Sequence, residues 1–161
     1  MRCIPVRALA LVFLALCGSC SGQTWTGRCV GVADGDTIRV MHAGKAEKIR
    51  LYGIDCPERT QDFGTRARQF TSGMVFEKTV TVQPVDRDRY GRTVAWVSLE
   101  GKSVNRALLE AGLAWWYRQH AAKDRDLERL EQTARKQRIG LWSQPKPIPP
   151  WKFRREERKN P

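Results

Sequence analysis

Acidic residues are in short supply in this chain: 17 Asp and Glu stand against 29 Lys and Arg, a net charge of +12. A deficit of that size argues for a polyanionic partner, either nucleic acid or an anionic membrane face, and composition alone does not choose between them. Long hydrophobic runs are missing too. The apolar stretch ALALVFLALCGSC at 8–20 is too short to span a bilayer as a mature helix. Arg2 and Arg7 precede it and the small residues Gly18, Ser19, Ser21 and Gly22 close it, so residues 1–22 read as a secretory signal and fall outside the fold. The mature chain is therefore expected to be secreted or periplasmic, without a stable membrane span. Removing the two arginines of the signal from +12 leaves +10.

Cysteine is also sparse once the signal is set aside. Of five, Cys3, Cys17 and Cys20 belong to the signal, and only Cys29 and Cys56 remain. Cys20 leaves a lipid-anchored form open, although the residues before it match a lipoprotein signal poorly. Two cysteines in an exported protein invite a disulfide, a point the site geometry bears on below. The two histidines, His42 and His120, are unpaired in the sequence and read as surface residues. No internal repeat is present, and 161 residues make one domain.

Periodicity then lays out the elements. RCVGVADGDTIRVMH (28–42) reads as two alternating strands joined at Asp34-Gly35-Asp36, and AEKIRLYGIDCPE (46–58) as a third that stops before Pro57. Phe63, Ala67, Phe70 and Met74 recur on one helical face. TVTVQPV and RTVAWVSL supply strands four and five. Ser103 is an N-cap candidate for a second helix that ends at Gly112, and a third runs from about Asp124 to Gly140. The remainder, residues 146–161, is proline-rich and then basic, and is expected to be an extended tail on a folded domain of residues 23–145. This order is that of a mostly β fold, a five-stranded OB-type Greek-key barrel with three helices, with an α+β open sheet as the structural rival.

Chemistry concentrates at strand ends. Asp36 follows the Asp-Gly turn, Asp55 closes the third strand and Glu58 lies beyond a proline; singly each is ordinary punctuation. A basic chain has no general reason to put three carboxylates at the ends of consecutive strands, and an oxygen-only set suits a hard cation such as Ca²⁺ or Mg²⁺. Arg50 stands five residues before Asp55, a spacing that in a regular strand points the two to opposite faces. Either a bulge or twist reunites them, or Arg50 is a surface residue. Between strands four and five, DRDRYGR (86–92) carries three arginines, two aspartates and a tyrosine where a turn needs little more than one Gly and one Asp. Carboxylates for a cation plus Arg50 and Arg92 are what phosphoryl chemistry uses.

In order and spacing, VADGDTIRV, IRLYGIDCPE, DRYGRTVAW, VNRALLEAGLAWWY and GLW, spread over residues 28–142, resemble the staphylococcal-nuclease-like (thermonuclease) family. The resemblance implies a Ca²⁺-dependent nuclease that hydrolyses DNA and RNA and leaves 3′-phosphate ends. It places Asp36, Asp55 and the backbone carbonyl of Cys56 at the calcium, with Asp34 a secondary member of the acidic group. Glu58 falls on the carboxylate that activates or orients water, and Arg50 and Arg92 on the two phosphate-binding arginines. Arg89 and Tyr90 fall where the outer phosphate is held, and Tyr117 becomes the candidate for stacking on a base, with Trp115 and Trp116 as core. The loop after Glu58 and the segment around Tyr117 are shorter than in the best-known member.

A monomer is expected. The functional rivals are a non-catalytic OB domain that binds single-stranded nucleic acid, and a basic envelope-associated protein; neither accounts for all five of the charged site positions. With Cys56 beside Asp36, and Cys29 seven residues earlier in a strand, we expect both cysteines to be free thiols, because a bridge needs Cα atoms within about 7 Å.

Overall fold

The structure, a computed structural model, describes residues 22–159. Residues 1–21, and with them Cys20 and nearly all of the expected signal, lie outside the described residues. Among those described, no helix is long and apolar enough to cross a membrane.

Five antiparallel strands and one parallel closure make the barrel. β1 (Trp25–Val32), β2 (Thr37–His42), β3 (Lys45–Leu51), β5 (Thr79–Arg87) and β6 (Thr93–Leu99) are ordered β3-β2-β1-β5-β6. β6 pairs parallel with β3 at Ile49↔Thr93 and Leu51↔Ala95, which removes both free edges. The alternation predicted from the sequence holds beyond the first strand: Ile38, Val40, Ile49, Leu51, Val80, Val82, Ala95 and Val97 are buried, but in β1 it is Cys29 and Gly31 that turn inward, while Val30, expected in the alternating set with Val32, is exposed. The register of β5 on β6 slips between Pro84 and Asp86, where a proline without an N–H is tolerated.

The third strand differs from expectation in one respect that matters for the site. It ends at Leu51, turns through Gly53 at φ +74°, and resumes as the separate β4 (Ile54–Asp55). Glycine is suited to that left-handed position. β4 leaves the barrel sheet and pairs antiparallel with β8 (Trp115–Trp116), Asp55 opposite Trp115.

Helices close the ends. α1 (Gly64–Val75) follows the predicted stripe; α2 (Val104–Glu110) is capped by Ser103, which accepts from the Arg106 N–H, and α4 (Arg125–Lys136) by Asp124, which accepts from the Leu127 N–H. β7 (Lys102–Ser103) adds to the β6 edge, and α3 (Arg118–Ala121) and a 3₁₀ turn (Gly140–Ser143) complete this part. Three helices were expected and five are present among the described residues. The fifth corrects the reading of an extended tail: Pro149 and Pro150 open a helix, α5 (Pro150–Glu157), with proline in the first turn where a missing N–H costs nothing.

Two buried polar side chains tie helices to the strands beneath them. Asn105, fully buried on α2, accepts the Val97 N–H through Oδ1 and donates through Nδ2 to the carbonyls of Tyr52 and Ala95, locking the turn that precedes Asp55. Glu131 on α4 accepts the Trp116 N–H and so anchors β8, the partner strand of Asp55. Leaving either set of backbone groups unpaired costs about 1–3 kcal/mol per group.

Candidate active site

Asp36 stands at the mouth of β2 because the preceding turn is pressed under α1. A Cβ on Gly35 would lie 2.7 Å from the Ala67 Cβ and 2.8 Å from the Cys56 sulfur, so no larger residue fits there. The Thr71 hydroxyl donates to the Gly35 carbonyl at 2.6 Å and fixes the turn from above. Asp36 Oδ2 accepts the Cys56 N–H at 2.5 Å, which brings the end of β4 against the start of β2.

Arg50 resolves the question left by its spacing. It stands on the outer face of β3, between inward-facing Ile49 and Leu51, and its guanidinium bridges Asp36 Oδ1 and Asp55 Oδ1, the latter at 2.6 Å. The turn at Gly53 interrupts the strand and cancels the odd spacing. Both carboxylates and the guanidinium are withdrawn from water, with side chains 8%, 1% and 13% exposed for Asp36, Asp55 and Arg50.

Burial and charge compete at Asp55 and Arg50 and act together at Asp34. Burial pushes the Asp55 carboxyl above its ordinary value although Arg50 pulls it down. Asp34, whose Oδ1 accepts the Asp36 N–H at 3.1 Å, is pushed up to about 7, by burial first and then by the Asp36 charge. Burial works against the Arg50 charge, but Asp36 and Asp55 outweigh it and hold the guanidinium protonated.

Glu58 lies on the rim, half-buried, in a compact turn: its N–H is bonded by Gln61 Oε1 at 3.2 Å and its carbonyl accepts the Gln61 N–H at 2.9 Å. Its side chain meets the cluster through a residue that the sequence reading missed. Arg154, on α5, donates to Glu58 Oε1 at 2.6 Å, to Asp55 Oδ2 at 2.8 Å and to Asp55 Oδ1 at 3.3 Å. The signal that could have found it is the proline pair followed by a basic segment, which starts a helix as readily as a tail.

The remaining candidates form two separate groups. Arg92 precedes Thr93, the residue that pairs with Ile49 at the start of the parallel β3–β6 pairing; its own bonds go to Asp88, Nε to Oδ2 at 2.6 Å and N–H to Oδ1 at 2.9 Å. Arg89 donates to the Tyr90 hydroxyl at 2.8 Å and lies over its ring, and Tyr90 is 70% exposed. On the other side, Tyr117 is half-buried and stacks with Trp151 of α5 at 5.8 Å, while Trp115 and Trp116 are buried as expected. A pocket of about 380 Å³ opens there, lined by Trp115, Tyr117, Arg118, Arg135 and Trp151 among others. Cys29 and Cys56 are buried free thiols, and His42 and His120 are exposed, His42 stacked on Trp25.

Comparison with known proteins agrees with this geometry. Residues 48–144 match the family described as staphylococcal nuclease homologue. An Escherichia coli protein named ParB is 44% identical over 161 aligned residues, covering 94% of this chain and 91% of its own. An uncharacterized endonuclease of Escherichia coli O157:H7 is 46% identical across 80% of this chain and 84% of its own. A Shigella flexneri protein named micrococcal nuclease is 35% identical across 93% and 92%.

Proposed function

The chain belongs to the staphylococcal nuclease family and is a nuclease, and from that premise we propose that it is a calcium-dependent endonuclease of DNA and RNA that leaves 3′-phosphate ends. The observation that carries the reading is the buried Asp36–Arg50–Asp55 bridge with Glu58 at its rim.

The donor set fits a hard cation. Among the described residues no three His, Cys, Asp or Glu side chains converge as a metal cluster, so side chains alone do not fill a coordination shell. Two carboxylates completed by backbone oxygen and water are acceptable to calcium, which takes 6–8 oxygens in flexible geometry, roughly, and less so to magnesium. Asp36, Asp55 and the carbonyl of Cys56 would hold it. The chemistry a bound calcium supplies is polarisation of a phosphoryl oxygen.

The chain's own residues supply the rest. Glu58, half-exposed and on a compact turn, orients a water or takes its proton for in-line attack. Arg50 and Arg92 neutralise the charge that develops on the phosphoryl oxygens, Arg50 from a fixed position and Arg92 from a turn that Asp88 holds in place. Arg89 and Tyr90 reach outward to an outer phosphate, and Tyr117 stacks on a base. The basic signal-like leader supports action outside the cytoplasm on nucleic acid met there, and the chain works as a monomer.

The test is cleavage of DNA and RNA by the purified protein with calcium, with magnesium and with a chelator, followed by end analysis of the products. Calcium-supported cleavage that the chelator abolishes, with 3′-phosphate termini, is expected. Undiminished cleavage in chelator overturns the calcium assignment, and 5′-phosphate termini overturn the polarity.

A further inference from the structure

Arg154 occupies the catalytic carboxylates from outside the barrel. Its guanidinium spans both Asp55 and Glu58, leaving Asp55 bonded at Oδ1 by Arg50 and Arg154 and at Oδ2 by Arg154 alone. Its helix is seated on the turn that carries Glu58: Gln61 Nε2 donates to the Ile148 carbonyl at 2.5 Å, and the Thr60 hydroxyl to Glu157 at 3.2 Å. On its other side Trp151 covers Tyr117. One short helix therefore covers the carboxylates and the aromatic surface together.

These contacts differ in kind from those of Arg50. Arg50 is sunk in the barrel wall, whereas the Arg154 side chain is 36% exposed; besides its own bonds, α5 is seated by the surface hydrogen bonds of Thr60 and Gln61 and by Trp151 packed edge-on against Trp115. Asp55 is buried, so releasing Arg154 from it requires another positive charge in its place. A divalent cation at Asp55 cannot share the carboxylate with a second adjacent positive charge without strong repulsion.

We propose that Arg154 is a further residue of the catalytic site, one that sets the cation concentration at which the nuclease is loaded: it competes with the cation for Asp55 and Glu58 and is displaced, with α5, when the cation binds. This rests on the calcium reading above. The apparent cation affinity is then the intrinsic affinity reduced by the fraction of molecules in which Arg154 is released. Displacement also uncovers Tyr117, so cation loading and access to the base-stacking surface are linked.

The experiment is direct calcium binding by calorimetry on the full chain, without substrate. Arg154→Met should tighten calcium binding by about tenfold or more, because the closed fraction is abolished. Arg155→Met, which removes the same charge from the same helix at an exposed position, should stay within about twofold of wild type, and Arg154→Lys, which keeps charge but not the fork, should fall between. Amide exchange across 150–157 should speed up when calcium is added to wild type. Equal affinity in wild type and Arg154→Met, or an equal gain in Arg155→Met, overturns the proposal and leaves the calcium reading standing. Absence of binding to both wild type and Arg154→Met at millimolar calcium overturns the calcium reading and the proposal with it.

Discussion

Asp55 and Asp88 are each gripped by an arginine, yet the two pairs respond in opposite ways to their surroundings. Asp55 is 1% exposed on β4, and burial raises its carboxyl despite contact with Arg50 and Arg154. Asp88 is 20% exposed in a turn; what burial it has would raise it, but the N–H and guanidinium of Arg92 and the N–H of Tyr90 bring it below the ordinary carboxylate value. In water-poor surroundings an arginine only offsets part of the desolvation cost. Each carboxylate accepts three hydrogen bonds, and in the solvated turn, where burial costs less, they win outright. The first pair is thus buried, with burial and arginine contact opposed, and the second is a solvated clamp that holds Arg92 in position.

The largest effect should come from breaking the buried pair. Arg50→Met strands Asp36 and Asp55 away from water, and loss of one partner of a buried ion pair costs roughly 3–5 kcal/mol. Denaturant melts should show that loss, and cleavage should fall on the order of 100- to 1000-fold as a preorganised contact disappears. Calcium should restore part of the stability and little of the rate. A melt unchanged from wild type would mean that Arg50 does not hold the two buried carboxylates.

Glu58→Gln sharpens the contrast, because Glu58 sits at the edge of the same cluster but is one-third exposed. Its turnover should fall by a similar factor of about 100 to 1000, while stability should stay within about 0.5 kcal/mol and substrate binding should be little changed. Kinetics with a measured substrate affinity separates the two. Full turnover in the folded variant removes Glu58 from the chemistry.

Closure into a barrel and the grouping of Asp36 with Asp55 were expected from the family resemblance and not from periodicity, whereas the strands were largely legible in the sequence, since alternation at Ile38, Val40, Ile49 and Leu51 and the Asp-Gly turn before Asp36 are local signals. Arg50 beside Asp55 was not, because a two-residue turn at Tyr52-Gly53 inside an apparent strand shifts every later side chain by a step that periodicity does not register. Asn105 and Glu131 were missed for another reason: a lone polar residue on a helix looks solvated until the strand whose backbone it satisfies is placed beneath it. Arg154 was hardest to see. It is about 100 residues from its partners, in a segment whose composition resembles a disordered tail, and only the docking of α5 on the Glu58 turn gives it a role.

The smallest effect concerns the exposed clamp, and pH distinguishes it from the buried one. A carboxyl held below its unfolded value contributes order that is complete above that value, about 3.9 for aspartate, and is lost as pH falls through the lower, folded one. The Asp88 clamp should therefore be intact throughout the neutral and mildly acidic range and loosen only in stronger acid. Two backbone amides report on it, those of Tyr90 and Arg92, each 2.9 Å from Asp88 Oδ1. Their proton shifts in a pH titration should move with a midpoint below the ordinary aspartate value. Asp88→Asn, which keeps the shape but removes the charge, should lose that titration and show displaced shifts already at neutral pH. Freed from its partner, Arg92 should then hold an oligonucleotide less firmly by a factor of about 2 to 10, the scale of one charged hydrogen bond weakened but not removed. A midpoint at or above the ordinary value would make Asp88 a carboxylate like Asp55, governed by burial, and would erase the distinction between the two clamps.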